Sequence, residues 1–134
     1  MPLCTMVAEL GDPFVLANTP AGTRVIVEVK SLRVEGDRLR GTMKGNAAAD
    51  WLTIGPDATG TIDVRLTMET DDGALVFVQY QGRRDFSQGM DAPVYTAPKF
   101  EAGDDRYAWI NKVQAVAKGT VEGTTLTYEV YELR

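Results

Sequence analysis

Residues Thr61–Tyr80 read TIDVRLTMETDDGALVFVQY, and the way this stretch turns back on itself sets the architecture. From Thr61 to Glu69 the side chains alternate: Ile62, Val64, Leu66 and Met68 share one face, and Thr61, Asp63, Arg65, Thr67 and Glu69 share the other. A period of two with one apolar face is the pattern of a half-buried antiparallel strand. Two loop lengths compete at the turn. A two-residue Asp72-Gly73 turn sets Leu66 against Gln79 and Thr67 against Val78, which mixes the faces. A three-residue Asp71-Asp72-Gly73 loop sets Met68 against Val76, Leu66 against Val78 and Val64 against Tyr80, with Arg65 opposite Gln79 and Asp63 opposite Gln81. Both faces then agree, and Gly73 falls where such loops need a left-handed residue free of a Cβ penalty. The acidic run Glu69, Asp71, Asp72 becomes a hairpin tip. A calcium loop needs carboxylates at alternate positions before the glycine and a glutamate after it; Met68 and Thr70 stand there instead, and no metal is expected.

Beyond this hairpin the pattern stays β. Val25, Val27 and Val29 alternate with Ile26, Glu28 and Lys30, and Gly36 and Gly41 punctuate the chain after them. Near the C-terminal end, a two-residue Glu122-Gly123 turn pairs Gly119 with Leu126, Ala117 with Tyr128 and Ala115 with Val130, setting small residues against large ones. On the other face it pairs Lys118 with Thr127 and Val116 with Glu129. Such complementarity fits the taper of a closed barrel or leaves room for a ligand. The expected fold is all-β: residues 1–134 form a single-domain antiparallel up-and-down β-barrel with at most one or two short helices.

Composition narrows the function. At 134 residues and 44% hydrophobic, the chain suits one domain that buries roughly two-thirds of its unfolded surface. The net charge of −5 comes with scattered basic residues, Arg83-Arg84 being the only adjacent pair, so neither nucleic acid nor an anionic membrane is the expected partner. No stretch approaches the roughly 18 apolar residues of a spanning helix, and MPLCTMVAELGD lacks the charged and apolar regions of a signal peptide. A cytoplasmic location is expected. With Cys4 alone no internal disulfide forms, and with no histidine anywhere, Ser-His and Cys-His catalysis and histidine-based zinc sites are excluded. Proton transfer must use Asp, Glu, Lys, Tyr or water, and no cofactor is called for. Cys4 reads as a small buried hydrophobe.

The stretch TAPKFEAGDDRYAWIN, Thr96–Asn111, crowds acids, bases, aromatics and an amide together. Two readings are open. Extending the inward face of Ala117, Ala115 and Val113 backwards reaches Asn111, Trp109 and Tyr107, which makes the stretch a cavity wall. Alternatively, Asp104 or Asp105 caps a helix through YAWINKVQAVAK to Gly119. A compromise is a short helical turn near Asp104 to Ala108 with a strand from about Ile110.

The segments ADWLTIGPDATGTIDVRLTMETDDGALVFVQYQGR and TAPKFEAGDDRYAWINKVQAVAKG resemble the two signature blocks of the domain of unknown function 3237 family (DUF3237), also called uncharacterised protein family 0311 (UPF0311). The resemblance rests on Asp50-Trp51, Arg65, Thr70-Asp71-Asp72-Gly73, Pro98 with Phe100-Glu101, and Tyr107 with Trp109 and Asn111. It departs at NAAADW, where the family has a glycine-rich approach to the Asp-Trp pair. The resemblance implies a small antiparallel barrel. Fungal members linked to aromatic polyketide pathways as isomerase-like or cyclase-like proteins imply a pocket for a flat, oxygenated ligand.

The candidate ligand-binding residues are Trp51, Arg65, Tyr107, Trp109 and Asn111, with Asp50, Glu101 and Tyr107 as candidate catalytic groups. Each has a structural reading too: the indoles as packing, Asp50 as a turn cap, Arg65, Glu101 and Asp104 as solvated charges. An inward Asn111 has to be hydrogen-bonded to protein, water or ligand. Asp50 and Trp51 are expected opposite the Tyr107–Asn111 wall. Two functions fit: a barrel that binds a small hydrophobic or aromatic, oxygenated molecule, or a histidine-free isomerase or cyclase working by carboxylate acid/base chemistry on a phenolic or polyketide-like substrate. A desolvated carboxylate inside the cavity favours the enzyme; a cavity lined by aromatics, amide and aliphatics favours the carrier. Edge strands left outside a closed barrel would need a partner, so a homodimer is one arrangement open to the chain.

Overall fold

Eleven strands and two short 3₁₀ helices make up the computed structural model, which describes residues 1–134. The strands are β1 (Pro2–Leu10), β2 (Phe14–Thr19), β3 (Gly22–Glu35), β4 (Gly41–Met43), β5 (Ala49–Ile54), β6 (Thr59–Thr70), β7 (Leu75–Asp85), β8 (Val94–Thr96), β9 (Lys99–Ala102), β10 (Ala115–Glu122) and β11 (Thr125–Glu132). The helices are Phe86–Gln88 and Asp105–Lys112. Pairing runs β1, β3, β5, β6, β7, β8, β10, β11 and back to β1, always antiparallel, so the eight staves close an up-and-down barrel in chain order. β4 prolongs the β5 stave between β3 and β6, and β9 prolongs the β8 stave along β7. β2 prolongs the line of β1 along β3 but pairs with nothing else, and Phe14, Val15 and Leu16 on it are exposed.

The β6–β7 hairpin has the register that its two faces require: Met68 pairs with Val76, Leu66 with Val78, Val64 with Tyr80, Arg65 with Gln79 and Asp63 with Gln81. The Gly73 N–H donates to the Thr70 carbonyl at 2.9 Å, closing the three-residue loop, and Gly73 sits at φ +92°. In the β10–β11 hairpin the register differs from expectation by two residues. Gly119 pairs with Tyr128, Ala117 with Val130 and Ala115 with Glu132, because the turn is Gly123-Thr124 rather than Glu122-Gly123. Gly123, at φ +63°, takes the first central position, where a two-residue loop of the II′ kind wants glycine. A shift of two leaves each side chain on its expected face, and small still opposes large.

Residues 104–119 follow neither simple reading. The Asp104 carboxylate accepts from the Arg106 N–H and caps a 3₁₀ helix over Asp105–Lys112; the strand begins only at Ala115. The compromise reading is right in kind, but the helix runs about a turn further than it allows and the strand starts later. Tertiary packing decides it: the helix lies on β9 and drives Ile110, fully buried, into that end of the barrel. Met6, Val34, Met68 and Val76 fill the adjoining layer. No helix is long and apolar enough to cross a membrane.

Candidate active site

The other half of the barrel is not filled. An interior cavity of about 80 Å³ lies there, with fourteen hydrophobic residues among the sixteen that line it; the two charged ones are Asp50 and Arg84. Eight staves make an interior just wide enough for side chains or one small ligand, and Gly119 shows how the space is apportioned. A Cβ at Gly119 would stand 2.6 Å from a ring carbon of Tyr128, so the glycine lets that ring lie against the wall. Tyr80 meets Tyr128 edge to face with centroids 5.3 Å apart, and both side chains are buried.

Asp50 faces inward from β5, between Val27 of β3 and Val64 of β6. Its Oδ1 accepts the Asp63 N–H at 3.0 Å. One amide is a small compensation for a carboxylate inside apolar walls. Burial pushes its pKa up to about 6, the Asp63 amide pulls down, and the nearby Asp63 charge adds to the rise. Burial likewise holds both phenols above the usual tyrosine range; at Tyr80 the Asp50 charge adds to it, and at Tyr128 both Tyr80 and Asp50 do. Arg84, on the same inward face of β7 beyond Gly82, stands at the cavity mouth. Its Nε donates to the Ala92 carbonyl at 3.0 Å and its Nη2 to that of Met90 at 2.6 Å, while Phe86 lies under the guanidinium at 4.7 Å.

Of the residues picked from sequence, only Asp50 lines this cavity. Trp51 follows it on the strand and therefore faces out, in a row with Ile26 of β3 and Phe14 of β2. Arg65 is exposed on the same outer wall, 4.9 Å from the Trp51 ring. Glu101 is exposed on β9. The expected meeting of Asp50 and Trp51 with Tyr107, Trp109 and Asn111 does not occur, because strand alternation separates the first pair and the 3₁₀ helix carries the other three to the opposite end. There, Tyr107 Oη donates to Asp72 Oδ1 at 2.7 Å, Thr70 Oγ1 donates to the same oxygen at 2.6 Å, and Arg106 spans Asp72 and Asp104. The Asn111 amide bonds both the N–H and the carbonyl of Ala102, at 2.7 and 2.9 Å, so it acts as a strand neighbour for β9. Trp109 is half-buried under the Arg38 guanidinium, 4.4 Å from its ring centroid, and Arg38 in turn pairs with Glu132. Cys4 is buried, with its thiol pushed up to about 12 chiefly by burial and then by Glu129, which makes it a poor nucleophile. No group of three or more acidic or cysteine side chains gathers where a metal ion could sit.

Sequence reading missed Tyr80, Tyr128 and Arg84. The first two were already on inward faces by hairpin pairing. Continuing the alternation from Tyr80 past Gly82 reaches Arg84, but beside Arg83 it reads as half of a solvated pair.

Comparison with known proteins gives a consistent result. The UPF0311 protein blr7842 of Bradyrhizobium diazoefficiens is 26% identical over 96% of this chain and 92% of its own length. A crystal structure of a beta-barrel like protein from Acinetobacter baumannii AYE matches with TM-score 0.88 and 29% identity, over 99% of this chain and 94% of that one. A crystal structure of an enzyme from Penicillium herquei has the same fold, with TM-score 0.73 and 20% identity over 98% of this chain and 92% of that one. The pattern that defines the family described as protein of unknown function (DUF3237) matches residues 1–133, and the chain belongs to that family.

Proposed function

We propose that the protein is a proton-transfer enzyme of the isomerase or cyclase type, acting inside the barrel on a small, oxygenated, mostly apolar molecule with Asp50 as its acid/base. The single observation that carries this is a carboxyl group in an apolar cavity with a pKa raised to about 6. A group so placed is mostly ionised at neutral pH yet within about one unit of changing state, which is where general acid/base catalysis is most effective. It takes a proton from carbon next to a carbonyl; the C–H electron pair moves into the new C=C, and the carbonyl oxygen gains the charge. The Tyr80 hydroxyl, backed by Tyr128, donates to that oxygen, and Asp50 returns the proton at another atom, so no co-reactant is consumed. In a cyclisation the proton comes first from a hydroxyl whose oxygen adds to a conjugated carbon, and goes back to the resulting enolate. The enzyme from Penicillium herquei supports the view that this fold can host a reaction. Carriage without chemistry would need no desolvated carboxylate in the wall.

The test is deuterium uptake. Acetophenone incubated in heavy water with the protein should exchange its methyl protons faster than in buffer, with a rate governed by a group titrating near 6. Asp50→Asn should return the rate to background. Exchange at the buffer rate, or unchanged exchange in the variant, would refute the reading.

A further inference from the structure

Four of the nine arginines, Arg24, Arg65, Arg83 and Arg84, form no ion pair, and of these only Arg84 lines the interior cavity. Arg33, Arg38, Arg40, Arg106 and Arg134 each pair with a carboxylate near the surface. Arg84 is half-buried, lines the interior cavity and forms no ion pair; Asp91 influences it electrostatically but does not come within 4.0 Å. Two backbone carbonyls and the Phe86 face satisfy part of the guanidinium, and Nη1 has no protein acceptor. Burial lowers its pKa from the usual arginine value, which registers the cost of a cation held there. A charge partly taken out of water gains from an opposite charge with good hydrogen bonds, and no carboxylate of the protein supplies one here.

We propose that the barrel's substrate is a small organic anion, a carboxylate or phenolate on a single-ring apolar body, whose charged oxygen pairs with Arg84 while its uncharged end lies toward Asp50 and Tyr80. This rests on the reading of the cavity as the reaction site and names the class of molecule it takes. The polarity follows from the charges, since an ionised Asp50 repels an anion at its own end. Size follows from the space: the enclosed volume, about 80 Å³, is below the roughly 150 Å³ of an apolar cavity that takes up benzene, so one ring is the upper limit and it reaches past the enclosed space to the Arg84 mouth. That is well short of the roughly 300–1,000 Å³ of drug-sized sites, so several fused rings exceed the cavity in this form.

Benzoate and benzamide, nearly identical in shape, separate charge from fit. Titrated into the wild-type protein at pH 7.5 and followed by NMR, benzoate should bind at least tenfold more tightly than benzamide and shift the Arg84 Nε–H resonance. Arg84→Met should lower benzoate affinity to about that of benzamide while the variant keeps the wild-type dispersion of its amide spectrum, which certifies the fold. Should that variant not fold, the wild-type Arg84 resonance decides alone. Failure of benzoate to bind, equal affinity for the two, or a preference that survives in Arg84→Met overturns the proposal. A benzoate preference with acetophenone exchange unaffected by Asp50→Asn would sustain the anion site and sink the proton-transfer reading; the reverse pattern would do the opposite.

Discussion

At the end of the barrel closed by the Asp105–Lys112 helix, polar side chains are bonded to one another: Tyr107 and Thr70 to Asp72, Arg106 to Asp72 and Asp104, Asn111 to both backbone groups of Ala102. Around Asp50 the pattern inverts. A carboxylate has one protein donor, two phenols face a space, and an arginine has no carboxylate within ion-pair distance. The first region uses charge and amide groups to hold chain segments together; the second keeps them available at a cost in stability. Perturbation runs along the same line. Hydrogen bonds from Thr70 and then Tyr107 hold Asp72 below the usual carboxylate range, whereas burial lifts Asp50 above it.

Single substitutions in each region put this contrast at risk. The largest effect belongs to the plug: Ile110→Ala removes a fully buried side chain and should cost about 2–5 kcal/mol in denaturant unfolding, without altering benzoate affinity at the far end. Next is the pH dependence of stability. Because the folded pKa of Asp50 is raised, its contribution is fully present below the unfolded value near 3.8 and is lost as pH rises through about 6. The wild-type protein should therefore lose, relative to Asp50→Asn, on the order of 3 kcal/mol between pH 4 and pH 7. Asp72 should act in the other direction: its contribution is present above its unfolded pKa and lost as pH falls through the lowered folded one, so the Tyr107→Phe difference should shrink in acid. Asn111→Leu strips the neighbour from β9 and should cost about 1–2 kcal/mol while leaving the cavity's ligand binding intact. The smallest is Gly73→Val. No atom lies within 4 Å of where the Cβ would stand, so the backbone penalty alone should cost about 1 kcal/mol.

Local pattern and long-range packing divided the labour of specifying this molecule. The Thr61–Tyr80 hairpin was legible to the residue because only one loop length keeps both faces consistent. The Gly119–Tyr128 hairpin was legible in its faces but not its register, since turns displaced by one residue shift the pairing by two and leave the same faces matched. Residues 104–119 carried true local signals, the Asp104 cap and the later strand, yet where one ends was set by Ile110 entering the barrel. Asp50 was found as a candidate, and its neighbours were misjudged for a reason present in the sequence: on a strand, Trp51 has to point away from it, as Arg65 does from Val64. The aromatic and amide residues of Thr96–Asn111 looked like a site because buried polar networks and binding sites draw on the same residue types.

Everything proposed for the barrel interior depends on a carboxyl group left unneutralised in apolar surroundings. Carboxyl ¹³C shifts of the aspartates, recorded from pH 3 to pH 9 and assigned through Asp50→Asn, measure its state without an assay for turnover. A midpoint for Asp50 near 6 that moves on benzoate binding is the expected result. A midpoint near 4, unmoved by ligand, would place Asp50 in water and refute both the acid/base role and the site built around it.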